Sequence, residues 1–245
     1  MYDVLIIGAG VVGCAVARKL SRYEAKIAVL ERAEDVADGA SKANSGIVHA
    51  GFDARPGTKK AYYNVKGAKM YASLARALGV PYVPNGALVL GFSEEDRKIL
   101  ERLYGQGQKN GVEQLRILGR DEILALEPNA NPQAACALLA PTSAVVSPYE
   151  MTLALAYDAA LNGAEFHLNC PVSRVWARDG VWHAETPEGV MRSRAVINCA
   201  GVGAAEIHNQ ISDQPMTILP RRGEYYLLDH TVQCPFTRTM FQVPG

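Results

Sequence analysis

At 245 residues, with 49% apolar and 20% charged side chains, the chain can bury a core as one large domain or two small ones, which excludes a disordered or fibrous protein. Lys plus Arg and Asp plus Glu both number 25, so no charge excess points to nucleic acid or an anionic membrane surface as partner. Five cysteines without a CxxC pair argue against a disulfide framework, and no stretch is apolar enough for a transmembrane segment, so the composition reads as a cytoplasmic protein with reduced thiols.

Residues 2–7 form a short β-rich apolar run ending in glycines and read as a buried strand. Residues 11–22 read as a helix and 26–30 as a second buried strand, which makes a βαβ unit with a parallel sheet. Residues 35–57, rich in Gly, Ala, Ser and Asn, read as loop with at most a short helix. A long helix is predicted over 58–78, stopped by Gly79. An apolar strand follows at 87–90, then an amphipathic helix over 94–109 and a short one over 121–126 before Pro128. Ser147, Pro148 and Glu150 compose a helix start with a capping box, and that helix runs to about Asn162. Asp179-Gly180 between 172–177 and 181–186 signals a type I′ hairpin. Residues 194–198 read as another strand, and 216–220, 225–228 and 237–243 as strands of an antiparallel sheet. The pattern changes near residue 80 and returns near 145, which predicts one domain inserted in another. The expected parts are 1–80 and 145–214 for the first domain, 81–144 and 215–245 for the second. Gly245 comes directly after a predicted strand, so the sequence is expected to continue beyond it.

Chemistry concentrates first in Gly8-Ala9-Gly10-Val11-Val12-Gly13. Gly8 makes the turn out of the strand, Gly10 lets backbone approach a pyrophosphate, and Gly13 lets helix and strand pack closely. The helix start at Val11 and Val12 offers free N–H groups and a positive dipole end to phosphates. Glu31, 18 residues after Gly13, can accept ribose hydroxyls and disfavours a 2′-phosphate. This pattern points to a dinucleotide without separating FAD from NAD.

A small-residue loop with hydroxyls, an amide and a histidine follows: Ser41, then Asn44-Ser45-Gly46-Ile47-Val48-His49-Ala50-Gly51. Together with Pro56-Gly57-Thr58-Lys59-Lys60-Ala61, it resembles the FAD-dependent oxidoreductases of the D-amino-acid oxidase superfamily. The resemblance is to the branch with L-2-hydroxyglutarate dehydrogenase and FAD-dependent glycerol-3-phosphate dehydrogenase. It continues in the strand at Val172, in Asn198-Cys199-Ala200-Gly201 as a second FAD-binding turn, and in Pro220-Arg221-Arg222-Gly223-Glu224-Tyr225-Tyr226 beside the substrate. The resemblance implies a Rossmann-like α/β FAD-binding domain with an inserted α+β substrate domain built on an antiparallel sheet. It implies FAD as cofactor, held by Gly8, Gly10, Val11, Val12, Gly13, Glu31, Arg32, Ser41, Asn44, Ser45, Gly46, Val48, His49, Val172, Cys199, Ala200 and Gly201. It implies a small anionic 2-hydroxy acid or polyol phosphate as substrate and a quinone, an iron–sulfur partner or oxygen as acceptor. The location would be cytoplasmic or peripheral at the inner membrane. Over a hundred further residues, with the last FAD-contacting strand and helix, would lie outside this sequence.

Hydride removal from an alcohol requires loss of the hydroxyl proton, and a histidine with a pKa near about 6.5 suits that role. His49 is therefore read as the base, the alternative being an imidazole that only packs against the flavin. Arg221 or Arg222 would grip a carboxylate or phosphate through two parallel hydrogen bonds, with Arg222 counted among the catalytic groups and Tyr225 lining the pocket. On a strand the two arginines point to opposite faces, so only one can serve. His167, His183, His208 and His230 are dispersed, without metal-ligand spacing. Cys14 and Cys199 read as small core residues. Two rival readings stay open: an FAD-dependent amine or amino-acid oxidase, and a flavin-free NAD-binding protein.

Overall fold

The computed structural model describes every residue except His230, Cys234 and Gly245. The readings placed on His230 and Cys234 therefore lie outside the described residues. In chain order the elements are β1 (Tyr2–Ile7), α1 (Val11–Leu20), β2 (Ile27–Leu30), β3 (Ile47–Val48), α2 (Lys59–Leu78), β4 (Tyr82–Val83) and β5 (Ala87–Gly91). Then come α3 (Glu94–Asn110), β6 (Arg116–Gly119), α4 (Arg120–Leu126), β7 (Cys136–Ala140), β8 (Ala144–Val146) and α5 (Pro148–Leu161). The last are β9 (Glu165–His167), β10 (Arg174–Arg178), β11 (Val181–Thr186), β12 (Gly189–Asn198), α6 (Ala204–His208) and β13 (Thr239–Gln242). They make two compact units, Met1–Ser45 with Leu78–Val80 and Ser147–Tyr225, and Gly46–Ala77 with Pro81–Val146 and Tyr226–Gly245.

The first unit is a six-stranded sheet in the order β10-β11-β12-β1-β2-β9. The strands β12, β1, β2 and β9 run parallel, and β10, β11 and β12 form an antiparallel meander at one edge. Leu5, Ile6 and Ile7 of β1 and all four residues of β2 are buried, the continuous apolar run that a covered parallel strand requires. Each such side chain contributes about 1.5–3 kcal/mol when fully buried. The meander turns at Asp179 (φ 51°) and Gly180 (φ 74°), both left-handed as a type I′ turn demands. Helix α5 starts on Ser147, whose Oγ accepts from Glu150 N at 3.3 Å, the first half of the expected box. Helices α1 and α5 are tied by the half-buried Arg18–Asp158 pair at 2.6 Å.

The second unit holds a four-stranded sheet, β13-β5-β7-β6, and a small one, β3-β8-β4. Its main core collects Ala50, Phe52, Val65, Val89, Leu100 and Leu138. That core explains a difference from the expected division. Residues 46–77 belong to this unit because Ala50, Phe52 and Val65 pack with β5, β7 and α3. Residues 215–225 in turn belong to the first unit. The expected antiparallel sheet needs one correction. β5, β7 and β6 pair antiparallel, but β13 joins β5 in parallel, Thr239 against Ala87 through Gln242 against Leu90.

The strands expected at 216–220 and 225–228 do not form; both stretches are irregular. β-propensity measures fit to a pleated, half-buried surface, and these residues have no sheet neighbour: Leu219 is 83%, Tyr226 98% and Leu227 94% exposed.

Candidate functional site: a glycine cradle and a histidine strand

In the first unit β1 delivers the chain into Gly8, whose φ of +102° suits glycine. A Cβ there would lie 2.5 Å from the Cys199 carbonyl oxygen. A Cβ on Gly13 would lie 1.9 Å from the Gly8 carbonyl oxygen, so α1 rests directly on the loop. Gly10 differs: a Cβ there would meet only Ser41 Oγ, at 3.1 Å, and no backbone. The protein's own packing does not demand a glycine at Gly10; the bare face of the loop does what a close ligand would need. Val11 N donates to Ser41 Oγ at 2.9 Å, while the amides of Val12 and Gly13 find no acceptor among the described residues. Unsatisfied first-turn N–H groups at a positive dipole end form an anion cradle.

Glu31 does more than the sequence suggested. Its Oε2 accepts from Ala9 N at 2.7 Å and its Oε1 from Ala33 N at 2.9 Å. The carboxylate therefore clamps the glycine loop to the end of β2, and about two of its roughly four acceptor sites remain for a ribose. Arg32 is exposed beside it. Ala37 N donates to Ala9 O at 3.0 Å, which draws the following loop over the cradle. Asn44, expected on the ligand, spends its Nδ2 on Ala40 O and Ser41 O, both at 3.0 Å; Ser45 is exposed.

The structure brings the second turn to the first. Cys199 N donates to Ile7 O at 2.8 Å, and Gly201 takes φ 56°. The turn is shaped by Asn198, which the sequence placed in the turn but not among the FAD contacts: Nδ2 donates to Ala204 O at 2.8 Å and Oδ1 accepts from Ala200 N at 3.2 Å. An Asn just before a glycine turn is the signal for this turn-shaping role. Val172, expected on a strand, lies just before β10 and packs, as Val196 and Ala200 do, against the buried cluster of Ile7, Val175 and Ile207. Burial, then Glu31 and Cys199, push the Cys14 thiol up to about 12, and burial raises Cys199 as well. Neither thiol is a thiolate near neutrality.

In the second unit Val48 is buried and pairs with Ala144, and Gly46 O accepts from Val146 N at 2.9 Å. His49 follows at once. Asn64 of α2 donates to His49 O at 2.7 Å, and Asn110 of α3 donates to Gly51 O at 2.9 Å and Ala54 O at 2.7 Å. These two asparagines, invisible as site residues in the sequence, fix residues 49–54 to two helices. The His49 ring stacks on Phe241, centroids 5.8 Å apart and planes 26° from parallel. The residue keeps exposed surface, and its pKa lies below the ordinary value chiefly because partial burial disfavours the cation; Asp53 pulls it up and Lys60 pushes it down. A neutral imidazole at neutral pH is able to accept a proton.

Arg221, Arg222 and Tyr225 lie on the irregular exposed stretch rather than on a strand, so the opposite-faces argument does not apply to them. Arg222 Nη2 instead meets Glu224 Oε1 at 2.8 Å, both side chains well exposed. No hydrogen bond joins Arg221 or Tyr225 to another site candidate among the described residues. Among those residues no three His, Cys, Asp or Glu side chains gather as a metal set, and no helix is long and apolar enough to cross a membrane.

A parallel βαβ unit with a glycine cradle, a clamping acid and a distant second turn defines a dinucleotide-binding oxidoreductase fold. The chain belongs to the family described as FAD dependent oxidoreductase (DAO), which matches residues 3–244. It is 43% identical to a glycerol 3-phosphate dehydrogenase of Caloramator mitchellensis over 100% of this chain and 51% of that protein. It is 30% identical to a glycerol 3-phosphate oxidase of Mycoplasma pneumoniae over 99% of the chain and 65% of that protein. The solved L-alpha-glycerophosphate oxidase of Mycoplasma pneumoniae, with FAD bound, superposes with a TM-score of 0.88 at 28% identity, over 99% of this chain and 65% of that one. The chain thus spans about half to two thirds of the length of these relatives.

Proposed function

We propose that the chain is the cofactor-cradling part of an FAD-dependent dehydrogenase acting on the CH–OH group of a small anionic polyol phosphate or 2-hydroxy acid, glycerol 3-phosphate first. The observation that carries the reading is the cradle: bare backbone at Gly10, free amides at Val12 and Gly13, and Glu31 within reach of its entrance. FAD, when bound, supplies the hydride acceptor. Gly8–Gly13 would hold its phosphates on backbone donors, Glu31 with Arg32 the adenosine side, and Cys199–Gly201 the second contact. His49, neutral at working pH, would take the hydroxyl proton. The 43% relative named a glycerol 3-phosphate dehydrogenase supports the substrate class, and that name favours a quinone or iron–sulfur acceptor over oxygen. An enzyme in the cytoplasm, meeting a quinone at the inner-membrane face, would fit that acceptor.

The test is anaerobic bleaching of the full-length yellow protein by a panel of glycerol 3-phosphate, 2-hydroxyglutarate and amino acids. Bleaching by glycerol 3-phosphate without peroxide release in air is the expected result. Bleaching by amino acids alone would overturn the substrate class, and a colourless protein that binds NADH would overturn the cofactor. His49→Gln should slow flavin reduction by about a hundredfold or more with FAD retained. A change below about threefold would remove His49 from the proton's path.

A further inference from the structure

His49 stands at the end of a chain of contacts that starts at a buried carboxylate. Glu127 follows α4 and is fully buried. Its Oε2 accepts from Thr237 N at 2.9 Å, Thr237 Oγ1 at 2.7 Å and Arg238 N at 3.1 Å. Arg238 Nη1 donates to Leu126 O at 2.6 Å, closing the same corner. Glu127 Oε1, also buried, has no partner among the described residues. A carboxyl group kept in the interior with half its acceptor capacity unused is a costly way to hold a loop, and it holds one loop only, the lead-in to β13. β13 then lies along β5, Phe241 against Val89, and presents the Phe241 ring to the His49 imidazole. Phe241 also packs on the unit's core, so its ring is anchored on one side and meets the imidazole on the other.

We propose that Phe241 is a positioning residue for His49, fixing the plane of its ring and covering one of its faces, and that the Glu127 clamp on Thr237 and Arg238 sets where Phe241 stands. The proposal rests on His49 as the proton acceptor. The charged groups that act on the imidazole are Asp53 and Lys60, in opposite directions and each more weakly than partial burial, and Phe241 is the aromatic ring stacked on one face of this otherwise exposed residue. An aromatic face suits this position because it shields without offering a competing hydrogen bond and restricts rotation of a ring that must present one nitrogen.

The test follows the His49 imidazole by NMR titration in the full-length holoenzyme, with Phe241→Leu, Phe241→Tyr and Glu127→Ala. In Phe241→Leu the His49 pKa should rise toward about 6.5, the value of an uncovered imidazole, and the acid limb of kcat/KM should move upward with it. Phe241→Tyr should restore both, and Glu127→Ala should reproduce the Phe241→Leu shift. A His49 titration unchanged in folded Phe241→Leu overturns the proposal. Ring-to-ring NOEs between His49 and Phe241 in the unsubstituted protein provide a check that needs no variant to fold; their absence overturns it too. The two readings separate cleanly. If His49→Gln still reduces the flavin while the titration shift is seen, the base role falls and the positioning stands. If His49→Gln is inactive and the titration does not move, the positioning falls and the base role stands.

Discussion

A Cβ on Gly13 would sit 1.9 Å from the Gly8 carbonyl oxygen, against backbone that cannot yield, whereas one on Gly10 would meet only the Ser41 hydroxyl at 3.1 Å. Gly13 is therefore demanded by the fold, whereas Gly10 is not and serves the ligand in the function proposed above. We expect Gly13→Ala to lower stability by about 1–3 kcal/mol and to release FAD. Gly10→Ala should keep the melting temperature and still weaken FAD retention on desalting. Equal losses of stability in the two would refute the distinction. At His49 the sign follows from partial burial: the cation is disfavoured, so the neutral imidazole survives to lower pH than a free one, as the proposed base role requires. The kcat/KM profile should stay flat through neutrality and fall only below about 6.5. A limb centred above that value would contradict the reading. At this scale the sequence was a good guide to glycines, because backbone conformation is local. It picked out Glu31 but not its clamp, because the partners Ala9 and Ala33 carry no side-chain signal.

Helix α3 shows how an element depends on its neighbours. Its expected bounds, 94–109, fall within a residue of the observed ones, and the structure shows what sets them: Ser93 and Asp96 form a reciprocal capping box, and Gly111 closes the helix at φ 79°. Inside it lie two glycines that the sequence treats alike. Gly105 has nothing within 4 Å of a Cβ, while Gly107 would press on Leu115 Cδ1 at 2.3 Å and Phe52 Cβ at 3.0 Å. Helix propensity favours alanine over glycine by about 0.5–1 kcal/mol. Gly105→Ala should gain that much in urea denaturation, and Gly107→Ala should instead lose about 1 kcal/mol or more through overpacking. Two gains of the same sign would refute this contrast. Strands were read less well. β7 (Cys136–Ala140) is buried throughout but alanine-rich, so neither alternation nor β-branching announced it. The stretches at 216–220 and 225–228 carried the right residues and found no sheet.

The two units interleave in sequence, and each is built from segments far apart along the chain. Where backbone is paired in sheets or helices, a protease must unfold a cooperative piece to cut; the irregular stretch around Leu219 and Tyr226 asks for no such unfolding. Limited proteolysis of the chain should therefore cut first between 214 and 228, and first cuts within α2 or α3 would contradict this. The sequence by itself determined the opening βαβ unit, the helices α2, α3 and α5, the hairpin at Asp179-Gly180 and the glycine pattern, since each is set by local periodicity, caps or φ. Only the tertiary structure decided which distant residues share a place. Asn198 and Cys199 lie beside Gly8, Phe241 lies on His49, and β13 runs parallel to β5. Those neighbours follow from strand register and sheet order, which are fixed by the joint burial of residues up to about two hundred positions apart and leave no trace at any one of them.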